Sequence, residues 1–246
     1  MVNDSDNIDS ILNGWPFDPH AVSVRMLALP DREVIQLRID LGLLQLEVSD
    51  RPDGWRPGGE PTYLDFMRQQ RRRDGESFVL DEEQCGEIDR EFVQYYHRRI
   101  CWLQLKRFDA AIRDADHTLA LMDFCKAHSP SDEWSASHEQ YRPFVVYHRT
   151  KASALRCFES SAGAERAIEE INAGLEQLRT IFIEFGAHEQ YEQDELVQRL
   201  HEFRETIRQE YSVGRTLRER LSDAIAAEQY ELAAEIRDQL ARRRAE

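Results

Sequence analysis

Between Leu217 and Leu240 the chain carries two short apolar stripes that cannot form a stable structure by themselves. Leu217, Leu221, Ala224 and Ile225 recur at helical spacing, and Tyr230, Ala233, Ala234, Ile236 and Leu240 do the same beyond Glu228-Gln229. Good helix formers fill the remaining positions, and alanines stand where two backbones would approach closely. Neither Gly nor Pro separates the halves, so spacing alone permits one long helix as well as two helices folded back on each other. In either form the segment is below the roughly 40 residues at which a domain normally sustains its own core. It must therefore pack on the rest of the chain, on a second copy or on another protein.

The run Tyr230-Glu231-Leu232-Ala233-Ala234-Glu235-Ile236-Arg237-Asp238-Gln239-Leu240 resembles the UVR motif. That helical hairpin is shared by excinuclease subunits B and C and also occurs in Clp-type ATPases and in activators of a protein arginine kinase. The resemblance implies a turn near Glu228-Gln229 and a docking role without chemistry. It also implies a partner contact involving Tyr230, Glu231, Arg237 and Asp238, and the hairpin's small size and apolar stripes add Leu221 and Ile225 as residues expected to be buried at that contact. The alternative is that Tyr230 and the alanines pack against the chain's own helices.

With 246 residues and 41 % hydrophobic content, the chain has enough apolar material for one large or two modest domains. Its formal net charge of -15 disfavours nucleic acid, whose footprint is normally a basic domain, and favours protein partners. Cys85, Cys101, Cys125 and Cys157 form no CxxC pair, so they read as buried thiols of a reducing cytoplasm and supply no zinc ribbon. The polar N-terminus, MVNDSDNIDS, lacks the basic and apolar regions of a signal peptide, and no apolar run reaches the length of a membrane span. A cytoplasmic location without membrane association is expected.

The fold expected is α+β and mainly α. Alternation predicts strands between Val22 and Val48, and its phase flips at Gly42, which predicts a β-bulge or sharp bend with positive φ at that glycine. Arg51-Pro52-Asp53-Gly54 is a turn, and Thr62 with Asp65 starts a helix that ends at Arg71-Arg72-Arg73. From Val79 onward the pattern is helical. Tyr95, Trp102, Phe108, Ala111, Ala115 and Thr118 resemble the large and small positions of a tetratricopeptide repeat, although Arg98 and Arg99 replace the Leu and small residue of that pattern. Tyr147, Ala154, Phe158, Ala167, Ile171 and Gly174 repeat the layout more weakly across a turn at Ser160-Ser161-Ala162-Gly163, and a further helix follows from about Gln190 to Glu210. The organisation expected is a β-containing module over 1–75, a tetratricopeptide-like bundle over 76–213 and a helical hairpin over 214–246. The front of the chain also resembles bacterial proteins that end in a UVR motif and carry an Arg-x-Asp-Leu-Gly-x-x-Gln run before Arg-Pro-Asp-Gly. Here these are Arg38, Asp40, Leu41, Gly42 and Gln45, then Arg51 to Gly54. That resemblance brings no activity with it.

Arg38 and Asp40 lie two apart on a strand and read as a wet sheet face, as an ion pair, or as a binding surface completed by Gln45 and Arg51. Arg71 to Arg73 and Arg242 to Arg244 fall at helix ends, where the dipole accounts for them without phosphate. The eight histidines show no HExxH spacing, and Asp114, Asp116 and His117 stand on adjacent positions that point apart. No nucleophile elbow, P-loop or dinucleotide fingerprint occurs. The expectation is a non-catalytic interaction protein without cofactor or metal, docking or self-associating through its C-terminal hairpin. The alternative is an accessory factor in nucleotide excision repair.

Overall fold

The computed structural model describes residues 7–159 and 163–245, and the chain divides into two compact units, 1–145 and 146–246. The first holds α1 (Asp9–Gly14), a three-stranded antiparallel sheet, α2 (Tyr63–Asp74), α3 (Glu82–Gln104), α4 (Phe108–His128) and α5 (Asp132–Glu139). Helix α6 (Arg142–Glu159) contains the boundary. The second unit continues through α7 (Gly163–Glu184), α8 (Glu195–Tyr211), α9 (Leu217–Ala226) and α10 (Tyr230–Ala245). Ser160, Ser161 and Ala162 of the expected turn, and the side chains of Arg243 and Arg244, lie outside the described residues. Among the described residues no helix is long and apolar enough to cross a membrane.

The sheet runs β1 (Val24–Ala28), β2 (Glu33–Ile39), β3 (Gly42–Glu47) in that order. The phase flip has a different cause from the bulge that alternation predicts. Ile39 pairs directly with Gly42, so Asp40-Leu41 forms a two-residue hairpin turn and the residues beyond it belong to a new strand. Gly42 keeps an ordinary φ, and a Cβ built on it meets open space. Reversal of the chain shifts the phase as an inserted residue would, and only pairing distinguishes the two.

Local signals set the helix starts. Thr62 Oγ1 accepts from the Asp65 N–H at 3.1 Å, and Asp81 with Gln84 forms a capping box at α3, with bonds of 2.8 and 3.0 Å. Between α3 and α4, Arg107 N–H reaches Trp102 O at 2.9 Å and Lys106 N–H reaches Leu103 O at 3.2 Å, with Lys106 at φ 57°. This is a Schellman turn with lysine where glycine is usual.

The centre of the first unit is charged as well as apolar. Arg98 grips Asp114 through two 2.9 Å bonds and donates to the Glu47, Ser49 and Asp50 carbonyls at 2.9, 3.3 and 2.9 Å. Glu91, fully buried, accepts from the first N–H groups of α2, Tyr63 at 2.7 Å and Leu64 at 3.1 Å, and meets His117 Nε2 at 2.9 Å. Asp114 and His117, three apart on α4, meet different partners, Arg98 and Glu91. Around this network Tyr63, Leu64, Met67, Phe78, Leu80, Ile88 and Leu121 form an apolar cluster with Cys85 and Cys125. All four cysteines are buried thiols, and burial pushes the Cys101 thiol up to about 12, which keeps it protonated near neutral pH.

In the second unit α6 and α7 meet at Gly174. A Cβ there would lie 2.0 Å from Thr150 Oγ1 and 2.7 Å from Thr150 Cβ, so only glycine permits this approach. Gly174→Ala is expected to destabilise the chain by about 1–3 kcal/mol through overpacking. The matched control is Gly86→Ala, at an exposed position in α3 with nothing within 4 Å, which should stabilise by about 0.5–1 kcal/mol. Urea denaturation of the two variants reads both signs.

Candidate functional site

The residues at 217–240 form an antiparallel pair of helices. Leu217 and Ala224 of α9 face Ala233 and Ile236 of α10 in a buried seam, with Leu221 and Leu240 half-buried against it. These positions, spaced three and four apart, place the small alanines where the two axes are closest. The reversal is a second Schellman turn. Gln229 N–H bonds to Ala224 O at 2.8 Å, Glu228 N–H bonds to Ile225 O at 3.0 Å, and Glu228 adopts φ 56°.

A capping box starts α9. Glu219 N–H bonds to Thr216 Oγ1 at 3.3 Å, and Thr216 N–H returns to Glu219 Oε2 at 2.8 Å. The other carboxylate oxygen, Oε1, ties the hairpin to its own unit by accepting from Asn172 of α7 at 3.1 Å and from the Arg208 guanidinium of α8. Arg204, 3.9 Å from the same oxygen, also bonds to Asn172 Oδ1 at 2.8 Å. Burial works to raise the Glu219 carboxyl. It is outweighed by the Thr216 N–H, the Asn172 amide and Arg208, so the group titrates below its ordinary value of 4.5.

The seam divides the sequence-predicted contact residues. Leu221 is used inside the hairpin, whereas Ile225 and Tyr230 are 54 % and 68 % exposed and Leu232 39 %. Glu231 is exposed, as are Arg237 and Asp238, which bond to each other at 2.9 Å. Tyr230, Ala234 and Arg237 follow helical spacing and so share one face of α10, next to the seam. Ile225, Tyr230 and Leu232 therefore stay exposed near the turn, among the exposed charges of Glu231, Arg237 and Asp238.

The N-terminal candidates are not assembled into one place. Arg38 is buried and donates from Nε to Trp15 O at 2.9 Å and from Nη1 to the carbonyls of Ile39, Asp40 (3.2 Å) and Gly42 (2.8 Å), so that it holds the hairpin turn closed. Gln45 continues a polar ladder across the strands, with Gln36 Nε2 donating to it at 3.1 Å and Arg25 Nε donating to Gln36 at 2.9 Å. Asp40 is exposed in the turn. Arg51 belongs to another cluster. It is fully buried, with Glu87 at 2.9 Å, Asp53 at 3.3 Å, Glu91 at 3.6 Å and the Trp55 ring centroid 4.7 Å away. Sequence reading missed Arg98 and Glu91 as the organising charges. Their one signal was that Arg98 departs from the repeat pattern.

The family model described as UvrB/uvrC motif matches residues 215–245, so the C-terminal helix pair is a UVR motif. No curated protein and no solved structure matches the chain.

Glu228 holds a left-handed conformation that costs nothing for glycine. Glu228→Gly is therefore expected to raise hairpin stability by about 0.5–1 kcal/mol, read as slower amide exchange in α9 and α10. Because the Glu219 pKa is lowered in the folded state, its contribution is complete above the ordinary 4.5 and lost as pH falls through the lower folded value. The stability gap between the native chain and Glu219→Gln should accordingly be constant near neutrality and shrink below pH 4.5. A gap that widens on acidification would reverse the assignment.

Proposed function

We propose that this chain is a non-catalytic adaptor that docks to a protein partner, or to a second copy of itself, through the turn end of its UVR hairpin. Ile225 and Tyr230 supply the apolar contact, and Glu231, Arg237 and Asp238 set its polarity and register. Leu221 acts indirectly by holding the seam that presents them. Residues 1–75 and 76–213 serve as a β-containing module and a tetratricopeptide-like scaffold, and 214–246 is the docking element.

The observation that carries this reading is the division of the hairpin's apolar residues. Its seam is closed internally by Leu217, Ala224, Ala233 and Ile236, yet Ile225, Tyr230 and Leu232 stay in water at the turn. UVR motifs are interaction modules, and the match over 215–245 supplies the second support. The charge of -15 favours a protein partner over duplex nucleic acid.

Burial of Ile225 or Tyr230 contributes about 1.5–3 kcal/mol, so Ile225→Glu and Tyr230→Ala should each weaken binding at least about tenfold. The assay is recovery of the partner from the native cell, with oligomer mass by light scattering, using the full chain, both variants and a chain lacking 214–246. Equal recovery and equal mass throughout would defeat the proposal. Fluorescence anisotropy on duplex DNA at two salt concentrations should show no binding at micromolar protein. Tight binding that weakens steeply with salt would instead favour the excision-repair accessory.

A further inference from the structure

A cavity of about 620 Å³ opens among α3, α4, α5 and the start of α6, and its lining residues all lie between Asp89 and Val145, in the first unit. That size falls in the range of about 300–1,000 Å³ typical of small-molecule sites. Of the lining residues Met122 and Val145 are buried, whereas Val93 and Tyr141 are 54 % and 59 % exposed, so the space runs from the surface into the interior. Its walls are largely aromatic. Tyr96 and Phe144 stand with ring centroids 6.3 Å apart at 43°, and Phe92 lies against the His138 imidazole at 4.4 Å and 24°.

The polar groups of the lining are engaged within the protein. His138 Nε2 meets Asp89 at 2.8 Å and its Nδ1 lies 3.0 Å from Trp134 O, while Ser137 Oγ donates to the same carbonyl at 2.6 Å. Arg99 Nη1 donates to Thr118 Oγ1 at 2.9 Å, and the Thr118 hydroxyl donates onward to Asp114 O at 2.8 Å. Burial works against the Arg99 charge, and the buried Asp114 carboxylate works for it. An ion entering this space would give up its hydration to groups already committed to one another. An uncharged aromatic body loses no such hydration and gains contact with the rings of the wall. A cavity of about 150 Å³ suffices for benzene, so one of about 620 Å³ has room for fused rings.

We infer that this cavity is a binding site for an uncharged, fused-ring aromatic molecule, held against Phe92, Tyr96 and Phe144 by apolar and ring contacts. Met122, unbranched and polarisable, adapts the inner wall to its outline.

The test is isothermal titration calorimetry of the full chain with naphthol, which is uncharged at neutral pH, beside naphthoate and naphthylmethylammonium, which carry either charge on the same rings. Naphthol should bind saturably at one site per chain with a negative heat-capacity change, and each charged analogue at least about tenfold more weakly. Val93→Trp places an indole at the exposed rim, and Met122→Trp fills the inner wall. Each should lower naphthol affinity at least about tenfold, and Val93→Trp reads the site even if Met122→Trp does not fold. Ile225→Glu in the hairpin should leave naphthol binding unchanged, which separates this site from the proposed docking surface. Light scattering of Val93→Trp should give the native mass. The inference is overturned by absence of saturable naphthol binding, by either charged analogue binding as tightly, by affinity that Val93→Trp leaves intact, or by an oligomer mass that Val93→Trp lowers, which would make this face a contact between copies.

Discussion

The Arg98 guanidinium binds together the β3 end, the loop after it, α3 and α4. Its bidentate grip on Asp114 spans the two long helices, and its other nitrogen collects the Glu47, Ser49 and Asp50 carbonyls. Burying a cation is costly unless every donor is met, and removing one partner of such a pair typically costs about 3–5 kcal/mol. The loop carbonyls would otherwise be left without donors inside the fold. Tyr95 completes the arrangement, with its ring 4.7 Å from the Arg98 guanidinium and its hydroxyl on Asp50 O at 3.1 Å. Glu91 plays the opposite part by placing negative charge on the N-terminus of α2, where the helix dipole favours it.

Two helical hairpins in different units use one device. The α3–α4 and α9–α10 reversals both close with a Schellman pair of bonds, and both put a long charged residue, Lys106 or Glu228, in the left-handed position. An aromatic residue then opens each second helix, followed by alanines at the seam, as in Phe108-Asp109-Ala110-Ala111 and Tyr230-Glu231-Leu232-Ala233-Ala234. Their environments differ. Phe108 is 7 % exposed, whereas Tyr230 is 68 % exposed. The α3–α4 hairpin buries this aromatic and the C-terminal hairpin leaves it in water, and the proposed docking at the turn rests on that difference.

The sequence by itself determined the local features. Strand alternation, the Thr62 cap, the helical run after Val79 and the two stripes of the terminal hairpin all follow from periods and cap residues a few positions apart. The UVR motif was legible for the same reason, since a helical hairpin is a local object. Only the tertiary structure decided which bend lay at Asp40-Leu41, which residues of the 217–240 segment turned inward, and what became of Arg98 and Arg99. These two arginines break the repeat pattern, and their role stayed hidden because their partners stand 16 to 51 residues away. Periodicity shows that a position is buried, but a buried charge is settled by whichever distant carboxylate, hydroxyl or carbonyl the packing brings within 3 Å. The cavity beside Arg99 is of the same kind, because no local pattern encodes a void between four helices.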